Sequence, residues 1–231
     1  MSESLKRGEL PLWSSQIFGG FSVFGEGQAG VFYIPNLILF TVLPTSLAFN
    51  LGYVLTFFIS GVGTFYYLRF LKLSRPVSLF GAAAFSFSFF FTGHIIHYNL
   101  IQVASLFPVI ILILEKFLQT KKILYIALFS FLVSQQIFAS FYQVTFYTIL
   151  AILAITIFRI WKYSILDKVK IIFHLLLAGV VSFGLSAIQI LASFEFIKTT
   201  SRGLGLPADE IAKYPFPPSN LINFFSPYFF W

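Results

Sequence analysis

The chain contains no cysteine and little charge, and both shortages narrow the classes of protein to which it can belong. Without cysteine there is no disulfide, no thiolate nucleophile and no cysteine-ligated metal. Charged residues make up only 10% of the 231 residues, whereas hydrophobic residues make up 58% and the mean hydropathy is +0.89. This composition excludes a soluble domain and indicates a membrane protein.

The few basic residues are concentrated between long apolar runs. Ten of the fifteen lysines and arginines fall in three short clusters, which are Arg69/Lys72/Arg75, Lys116/Lys121/Lys122 and Arg159/Lys162/Lys168/Lys170. Because cytoplasmic loops collect Lys and Arg, the clusters predict one face as cytoplasmic and place the intervening connections outside. The same clustering accounts for the net charge of +7, so nucleic-acid binding is not expected.

Six membrane-spanning helices are predicted from apolar runs of about 20 residues. They cover Asn50–Leu71, Pro76–Thr92, Leu100–Leu118, Lys122–Phe138, Tyr142–Trp161 and Val169–Ile197. Pro108 predicts a kink in the third helix, and the fourth is short for a crossing. An interfacial or re-entrant helix on the outer side is predicted within Phe32–Phe49, where Pro35 and Pro44 interrupt an apolar stretch too short to span.

These helices divide the chain into three parts. We predict an external loop with the interfacial helix over residues 1–48, a six-helix transmembrane bundle over 49–197, and the start of a second external loop over 198–231. Residues 1–13 have no apolar signal-peptide core and yet are predicted to lie outside. Either the first helix inserts with its N-terminus outside, which Lys6 and Arg7 disfavour, or, as we expect, a further transmembrane helix lies upstream. The C-terminal segment of prolines and aromatic residues closes no element, so we expect the chain to be a fragment of a longer protein.

Several short motifs follow one another along most of the chain. Those of the first loop are Gly8-Glu9-Leu10-Pro11-Leu12-Trp13, Gly19-Gly20-Phe21, Gln28-Ala29-Gly30-Val31-Phe32-Tyr33 and Pro35-Asn36-Leu37. Those that follow are Leu73-Ser74-Arg75, Gly93-His94, Asn99, Gln102, Pro108, Leu114-Glu115-Lys116, Ala187-Ile188-Gln189, Glu195, Arg202, Pro217-Pro218, Asn220-Leu221 and Ser226-Pro227. In order and spacing this series resembles the bacterial YfhO-like membrane proteins.

The resemblance implies a glycosyltransferase-like fold of the GT-C type, a many-helix membrane bundle whose external loops hold the active site. It implies a sugar donor carried on a polyprenyl phosphate, an envelope polymer such as teichoic acid as acceptor, and a place in the bacterial cytoplasmic membrane. The expected partners are therefore membrane lipids, this donor and this acceptor, with no nucleic acid. Proteins of this type carry an acidic residue upstream of the Gly8–Trp13 match, just after the first helix, and here we expect that residue to precede Met1.

Glycosyl transfer needs a carboxylate that takes a proton from the acceptor hydroxyl. Glu26, in the flexible stretch Gly25-Glu26-Gly27-Gln28, and Glu195, at the outer end of the sixth predicted helix, are the predicted catalytic acids. The alternative for Glu26 is a solvated turn residue. Glu115 and Asp167 lie among the basic clusters, where we expect them to form charge pairs.

Substrate binding is predicted for polar side chains near the outer ends of the helices. Lys198 and Arg202 suit the donor phosphate, and lipid headgroup contact or pairing with Glu195 is the alternative. His94 and His97, three residues apart, suit a substrate or a metal, and an interfacial pair without a ligand is the alternative. The remaining predicted contacts are Gln28, Gln102, Gln136 and Gln189.

Other hypotheses stay open at this stage. No metal ligand is assigned, the cofactor is unknown, and a divalent cation is one choice. A polytopic transporter or lipid flippase is the main alternative, because Gln102 and Gln189 are polar residues within predicted spans and Pro108 kinks the third. Transporters usually contain repeated halves, and no convincing internal repeat is present. A fragment without activity of its own is the third hypothesis.

Overall fold

Helices account for nearly all regular structure in the computed structural model, which describes residues 1–17, 19–200, 203, 205, 213, 215, 217–226 and 229. The α-helices are α1 (Ser2–Lys6), α2 (Val23–Glu26), α3 (Ile34–Val42), α4 (Thr45–Phe70), α5 (Arg75–Ser86), α6 (Phe89–Gly93), α7 (Tyr98–Ser105), α8 (Phe107–Thr120), α9 (Ile123–Ala139), α10 (Tyr142–Ile160), α11 (Ile165–Leu185) and α12 (Ala187–Lys198). A 3₁₀ helix covers Pro218–Phe224, and the β-structure in this described part is a single bridge between Ser14 and Phe21.

Five helical stretches in the described part of the chain are long and apolar enough to cross a membrane. They are Thr45–Phe70, Arg75–Gly93, Tyr98–Thr120, Tyr142–Ile160 and Ile165–Leu185. Helix α9 is also apolar but has only 17 residues. At about 1.5 Å per residue it measures roughly 26 Å, less than a hydrocarbon core of about 30 Å. The chain is therefore an all-α polytopic membrane protein, as predicted, although the fourth of the six predicted spans is shorter than the rest.

The two ends of the bundle differ chemically. The basic end carries the turns from α4 to α5, α8 to α9 and α10 to α11, which hold the three basic clusters. The loop end carries α1 to α3, the turn at residues 94–97 and the turn at residues 140–141. Helix α9 runs from the basic end to the loop end. There the carbonyl of its C-cap residue, Ser140, accepts a hydrogen bond from Asn99 Nδ2 at the start of α7 (3.2 Å).

Helices α7 and α8 form the centre of the bundle. Their apolar stretch is 83% buried, against 33% or less for the other four long spans. Ile110, Leu114 and Phe117 of α8 pack with Ile126 and Phe129 of α9 in the main hydrophobic core. The outer helices leave large apolar side chains uncovered by protein, which is the surface expected of a protein solvated by lipid.

Helix α4 packs through small side chains. Its buried residues recur about once per turn and are Ala48, Gly52, Thr56, Ser60, Gly63 and Thr64. A side chain at Gly63 would collide with Val109 of α8, and Ser86 Oγ of α5 donates a hydrogen bond to Ser60 Oγ (3.2 Å). Small residues let membrane helices approach closely, so this face positions α4 against both α5 and α8.

Proline explains two helix boundaries. Pro44 is the N-cap of α4, so residues 45–49 belong to the first span and the predicted interfacial helix is shortened to α3. The kink predicted at Pro108 is confirmed: α7 ends at Ser105, and α8 begins at Phe107 with Pro108 in its first turn, where the missing N–H is not needed.

Two predicted spans are each divided into two helices, so the prediction of one continuous helix was wrong for both. The second is broken at residues 87–88, between α5 and α6. The sixth begins at Ile165, four residues before the predicted Val169, and is broken at Ser186 (φ −100°, ψ 8°). Ser182 and Ser186 donate from their hydroxyls to the carbonyls four residues earlier (both 2.7 Å), a bond that bends helices.

The two acids predicted to pair at the basic end behave differently. Glu115 is paired as predicted, and its Oε1 lies 2.7 Å from Arg159 Nη2. Asp167 instead helps to cap α11, since its backbone N–H donates to Ser164 Oγ (3.2 Å) and its Oδ2 accepts from the same hydroxyl (2.8 Å). It forms no close ion pair within the described residues, but burial lowers the pKa of Lys121 in the neighbouring basic cluster and the charge of Asp167 opposes that lowering.

Candidate functional site

The N-terminal segment folds back over the loop end instead of extending away from it. Ser2 Oγ of α1 donates to the Phe40 carbonyl of α3 (2.9 Å), which ties the first helix to the interfacial one. Ser22 caps α2 by accepting from the Gly25 N–H (3.1 Å). Gly25 then lies against Phe196 of α12, where a larger residue would collide with the ring. Residues 1–42 therefore form a cap on the bundle.

A buried polar cluster anchors this cap to the central helix. Asn36 of α3 and Gln102 of α7 exchange two hydrogen bonds, from Gln102 Nε2 to Asn36 Oδ1 (2.6 Å) and from Asn36 Nδ2 to Gln102 Oε1 (3.2 Å). Asn36 also donates to the Gly30 carbonyl (3.3 Å) and accepts from the Tyr98 hydroxyl (3.2 Å). Paired amides in an apolar surrounding fix one register, so the cap has one defined position on the bundle.

A polar cleft of about 840 Å³ lies between the cap and helices α4 and α7. Its lining residues are Met1, Ser2, Glu3, Ser4, Arg7, Pro11, Trp13, Ser14, Ser15, Gln16, Ile17, Val23, Gln28, Ala29, Phe40, Thr45, Phe49, Ile96, His97, Tyr98 and Asn99. Two of the predicted binding residues, Gln28 and His97, are among them. Glu3 and Arg7 supply one anionic and one cationic side chain, and neither was predicted from the sequence as a site residue. The cleft therefore combines charges of both signs with amides, hydroxyls and an imidazole.

An aromatic groove of about 570 Å³ adjoins the polar cleft. It is lined by Leu12, Trp13, Gly20, Phe21, Ser22, Phe24, Gly25, Ala192, Glu195, Phe196 and Thr199. Trp13 lines both spaces and is 64% exposed, so the two spaces meet at this residue. Gly20 has φ +135° and lies directly against that ring, a position that no larger residue could occupy without moving the indole. Glu195 is the one acid along this groove within the described residues.

The other predicted acid, Glu26, lies at the end of α2 beside Gln28. Its carboxylate accepts a hydrogen bond from the Gln28 N–H (2.9 Å). The side chain is half-buried, and burial raises the pKa of the Glu26 carboxyl above its usual range, while the bond from Gln28 opposes the shift. Gly27 (φ +85°) follows and packs against Gln189 and Ser193 of α12. The two predicted acids are thus carried by elements that pack on each other.

The three predicted glutamines of the spans hydrogen-bond to the protein itself. Gln102 pairs with Asn36, as described above. Gln136 Nε2 donates to the Val103 carbonyl (2.8 Å) and to Thr148 Oγ1 (3.1 Å). Gln189 Nε2 donates to the Phe24 carbonyl (3.0 Å), which joins α12 to α2. All three are fully buried, so their contact with a substrate stays a prediction, and their observed partners are neighbouring helices.

The remaining predicted residues do not converge on one point. His94 Nδ1 donates to the Phe90 carbonyl of its own helix (2.9 Å), and its ring centroid is 5.9 Å from that of His97. No group of three His, Asp or Glu residues suited to a metal ion occurs in the part of the chain that the structure describes. Lys198 Nζ lies 4.5 Å from the centre of the Phe194 ring. Arg202 lies outside the described residues.

No protein-family model, curated protein or solved structure matches this chain. The resemblance to the YfhO-like proteins therefore stays a prediction. The observations that bear on function are the cleft and the groove at the loop end.

Proposed function

We propose that this chain is a glycosyltransferase-like protein of the bacterial cytoplasmic membrane. It transfers a sugar from a polyprenyl-phosphate donor to an envelope polymer on the outer face. The observation that carries the proposal is the junction of a polar cleft and an aromatic groove at Trp13. A polyprenyl-phosphate sugar has the same two chemistries side by side, since a polar sugar phosphate is joined to an apolar chain. Both spaces fall within the usual range for ligand sites, about 300–1,000 Å³.

Charge distribution supports the orientation of this site. The three basic clusters lie at the opposite end of the bundle from the cleft. Under the positive-inside rule a basic end is cytoplasmic, which supports an external position for the cleft. Exposed Leu10, Leu12 and Trp13 beside the groove suit the depth of the lipid headgroups, where a polyprenyl phosphate has its reactive end.

The proposed reaction is a displacement at the anomeric carbon. The acceptor hydroxyl oxygen forms the new bond to that carbon, the bond from the carbon to the phosphate oxygen breaks, and polyprenyl phosphate leaves with the bonding electrons. A carboxylate takes the proton of the acceptor hydroxyl. Glu3 in the cleft, Glu26 beside it and Glu195 in the groove are the candidates for that base.

Cationic and donor groups would hold the leaving phosphate. Arg7 lines the cleft and uses its Nε for Glu9 (3.1 Å), which leaves its terminal nitrogens for a phosphate. His97 and Gln28 line the same cleft. Lys198 and Arg202 remain proposed phosphate contacts, as predicted from the sequence.

The test is incorporation of radiolabelled sugar into the envelope polymer in cells that carry the complete protein. The test compares Glu3→Gln, Glu26→Gln and Glu195→Gln. The variant that replaces the base should lower incorporation about 100-fold or more, whereas the other two should act mainly through KM. Lys6→Gln is the matched control, because Lys6 lies on the same short helix as Glu3 but does not line the cleft. Full incorporation in Glu3→Gln, Glu26→Gln and Glu195→Gln alike would refute the proposed function.

A further inference from the structure

A third space, a small cavity, lies at the basic end, which is the opposite end of the bundle from the cleft. It measures about 250 Å³ and is lined by Phe70, Leu71, Lys72, Glu115, Leu118, Gln119, Arg159, Lys162 and Tyr163. These residues come from the ends of α4, α8 and α10 and from the turns that follow α4 and α10. The proposed glycosyl transfer uses none of them.

The charges in this cavity are oriented by an ion pair between the buried Glu115 and the partly exposed Arg159. Glu115 is only 4% exposed, and its Oε1 accepts from Arg159 Nε (2.8 Å) and lies 2.7 Å from Nη2. One carboxylate oxygen thus holds one edge of the guanidinium group and sets the plane of the fork. The third nitrogen, Nη1, takes part in no hydrogen bond within the described residues. It remains available to an acceptor in the cavity.

Two lysines add uncompensated charge. Lys72 and Lys162 line the cavity and form no ion pair with any carboxylate that the structure describes. Lys72 has a left-handed backbone (φ +66°), a conformation uncommon for a residue with a side chain. With Arg159 the cavity holds three cations against the single carboxylate of Glu115, a net charge of +2. Topology alone requires basic residues somewhere at this end, but it does not require them to line one cavity around a buried acid.

We propose that this cavity binds one phosphate group, with Arg159, Lys72 and Lys162 as its donors. A guanidinium fork and two ammonium groups are the side chains that recognise phosphate oxygens, and basic pockets between spans at this membrane face suit anionic headgroups. Phe70, Leu71 and Leu118 give the cavity an apolar side. The phosphate can belong to the headgroup of an anionic phospholipid or to a free phosphate compound, and the two sources are separated by experiment.

The first experiment measures lipid binding to the purified chain. Nanodiscs of phosphatidylcholine are titrated with phosphatidylglycerol, and bound lipid is counted by native mass spectrometry. Lys72→Gln/Lys162→Gln should weaken the tightest phosphatidylglycerol site by roughly 30-fold, about fivefold for each lysine near an anionic lipid. Lys122→Gln/Lys168→Gln is the matched control, because it removes the same charge at the same end from residues that do not line the cavity. That variant should stay within about twofold of the original chain.

Further variants and ligands decide what the site recognises. Lys72→Arg/Lys162→Arg keeps the charges and should keep the binding, which separates a binding role from a folding role. Millimolar inorganic phosphate is added to discs of phosphatidylcholine alone and, separately, to discs that also contain phosphatidylglycerol. If phosphate raises the melting temperature in the first discs and displaces phosphatidylglycerol in the second, the site takes free phosphate. If phosphatidylglycerol binds and phosphate does neither, the site takes the headgroup. Equal losses in the cavity and control variants, or binding of neither ligand, would overturn the proposal.

Discussion

Replacing Gln102 by leucine should loosen the cap formed by residues 1–42 from the transmembrane bundle. Gln102 and Asn36 exchange two hydrogen bonds (2.6 and 3.2 Å), and both residues are buried. In Gln102→Leu, Asn36 keeps the Gly30 carbonyl and the Tyr98 hydroxyl as partners but loses both bonds to Gln102. Leucine fills most of the same volume, so the loss of polar pairing dominates over cavity formation.

The size of the effect follows from typical hydrogen-bond energies. Hydrogen bonds between membrane helices contribute about 0.6 kcal/mol each, so the reciprocal pair contributes about 1.2 kcal/mol. Each single leucine variant also leaves one buried amide partly unpaired, which costs about 1–3 kcal/mol. We therefore expect each of Asn36→Leu and Gln102→Leu to cost about 2–4 kcal/mol. The double variant should cost about 1 kcal/mol or more below their sum.

The assay is reversible unfolding in mixed micelles with increasing dodecyl sulfate, followed by tryptophan fluorescence and circular dichroism. Gln143→Leu is the control, because this exposed glutamine donates only to the Tyr147 hydroxyl of its own helix (2.8 Å) and should change stability by less than about 0.5 kcal/mol. If the two single variants add within about 0.3 kcal/mol in the double variant, the residues are not paired and the position of the cap is wrong.

Two further perturbations test charges elsewhere in the fold. Glu115→Gln removes the buried partner of Arg159 and should cost about 1–2 kcal/mol in the same unfolding assay, because the Arg159 side chain left unpaired is 35% exposed and partly solvated, whereas Glu9→Gln, from the exposed pair with Arg7, should cost less than about 0.5 kcal/mol; equal costs would contradict the burial of Glu115. Burial raises the pKa of Glu26, so the folded chain binds this proton more tightly than the unfolded chain, and stability should fall as pH rises from about 4.3 through the raised pKa. Glu26→Gln should remove that fall, and an unchanged pH profile would argue against it.

Much of the transmembrane architecture follows from the sequence, because lipid imposes simple rules on length and charge. Apolar runs of about 20 residues and the three basic clusters predict the spans and their alternating direction. Pro108 predicts the kink between α7 and α8. The break at Ser186 was not predicted, because serine is compatible with a helix and bends it only when its hydroxyl donates to a carbonyl of the preceding turn.

The candidate site is less accessible to sequence reasoning, because tertiary packing assembles it. Glu3 and Arg7 reach the cleft because α1 packs on α3, through the bond from Ser2 to Phe40, 38 positions apart, and through Leu5 in the same hydrophobic cluster as Phe40. No local pattern indicates that contact. Buried amides raise the opposite problem. Gln102 within a span indicates a functional residue, and yet its hydrogen bonds go to Asn36, 66 residues away.

The most direct test of the account is the side of the membrane that the cleft faces. Since the chain has no cysteine, one substitution provides one reactive thiol. Ser15→Cys places it in the cleft, and Lys122→Cys places it at the basic end. Intact cells are treated with a membrane-impermeant maleimide. We predict labelling of Ser15→Cys in intact cells and of Lys122→Cys only after the membrane is permeabilised; the reverse pattern would place the cleft in the cytoplasm and contradict envelope glycosyl transfer.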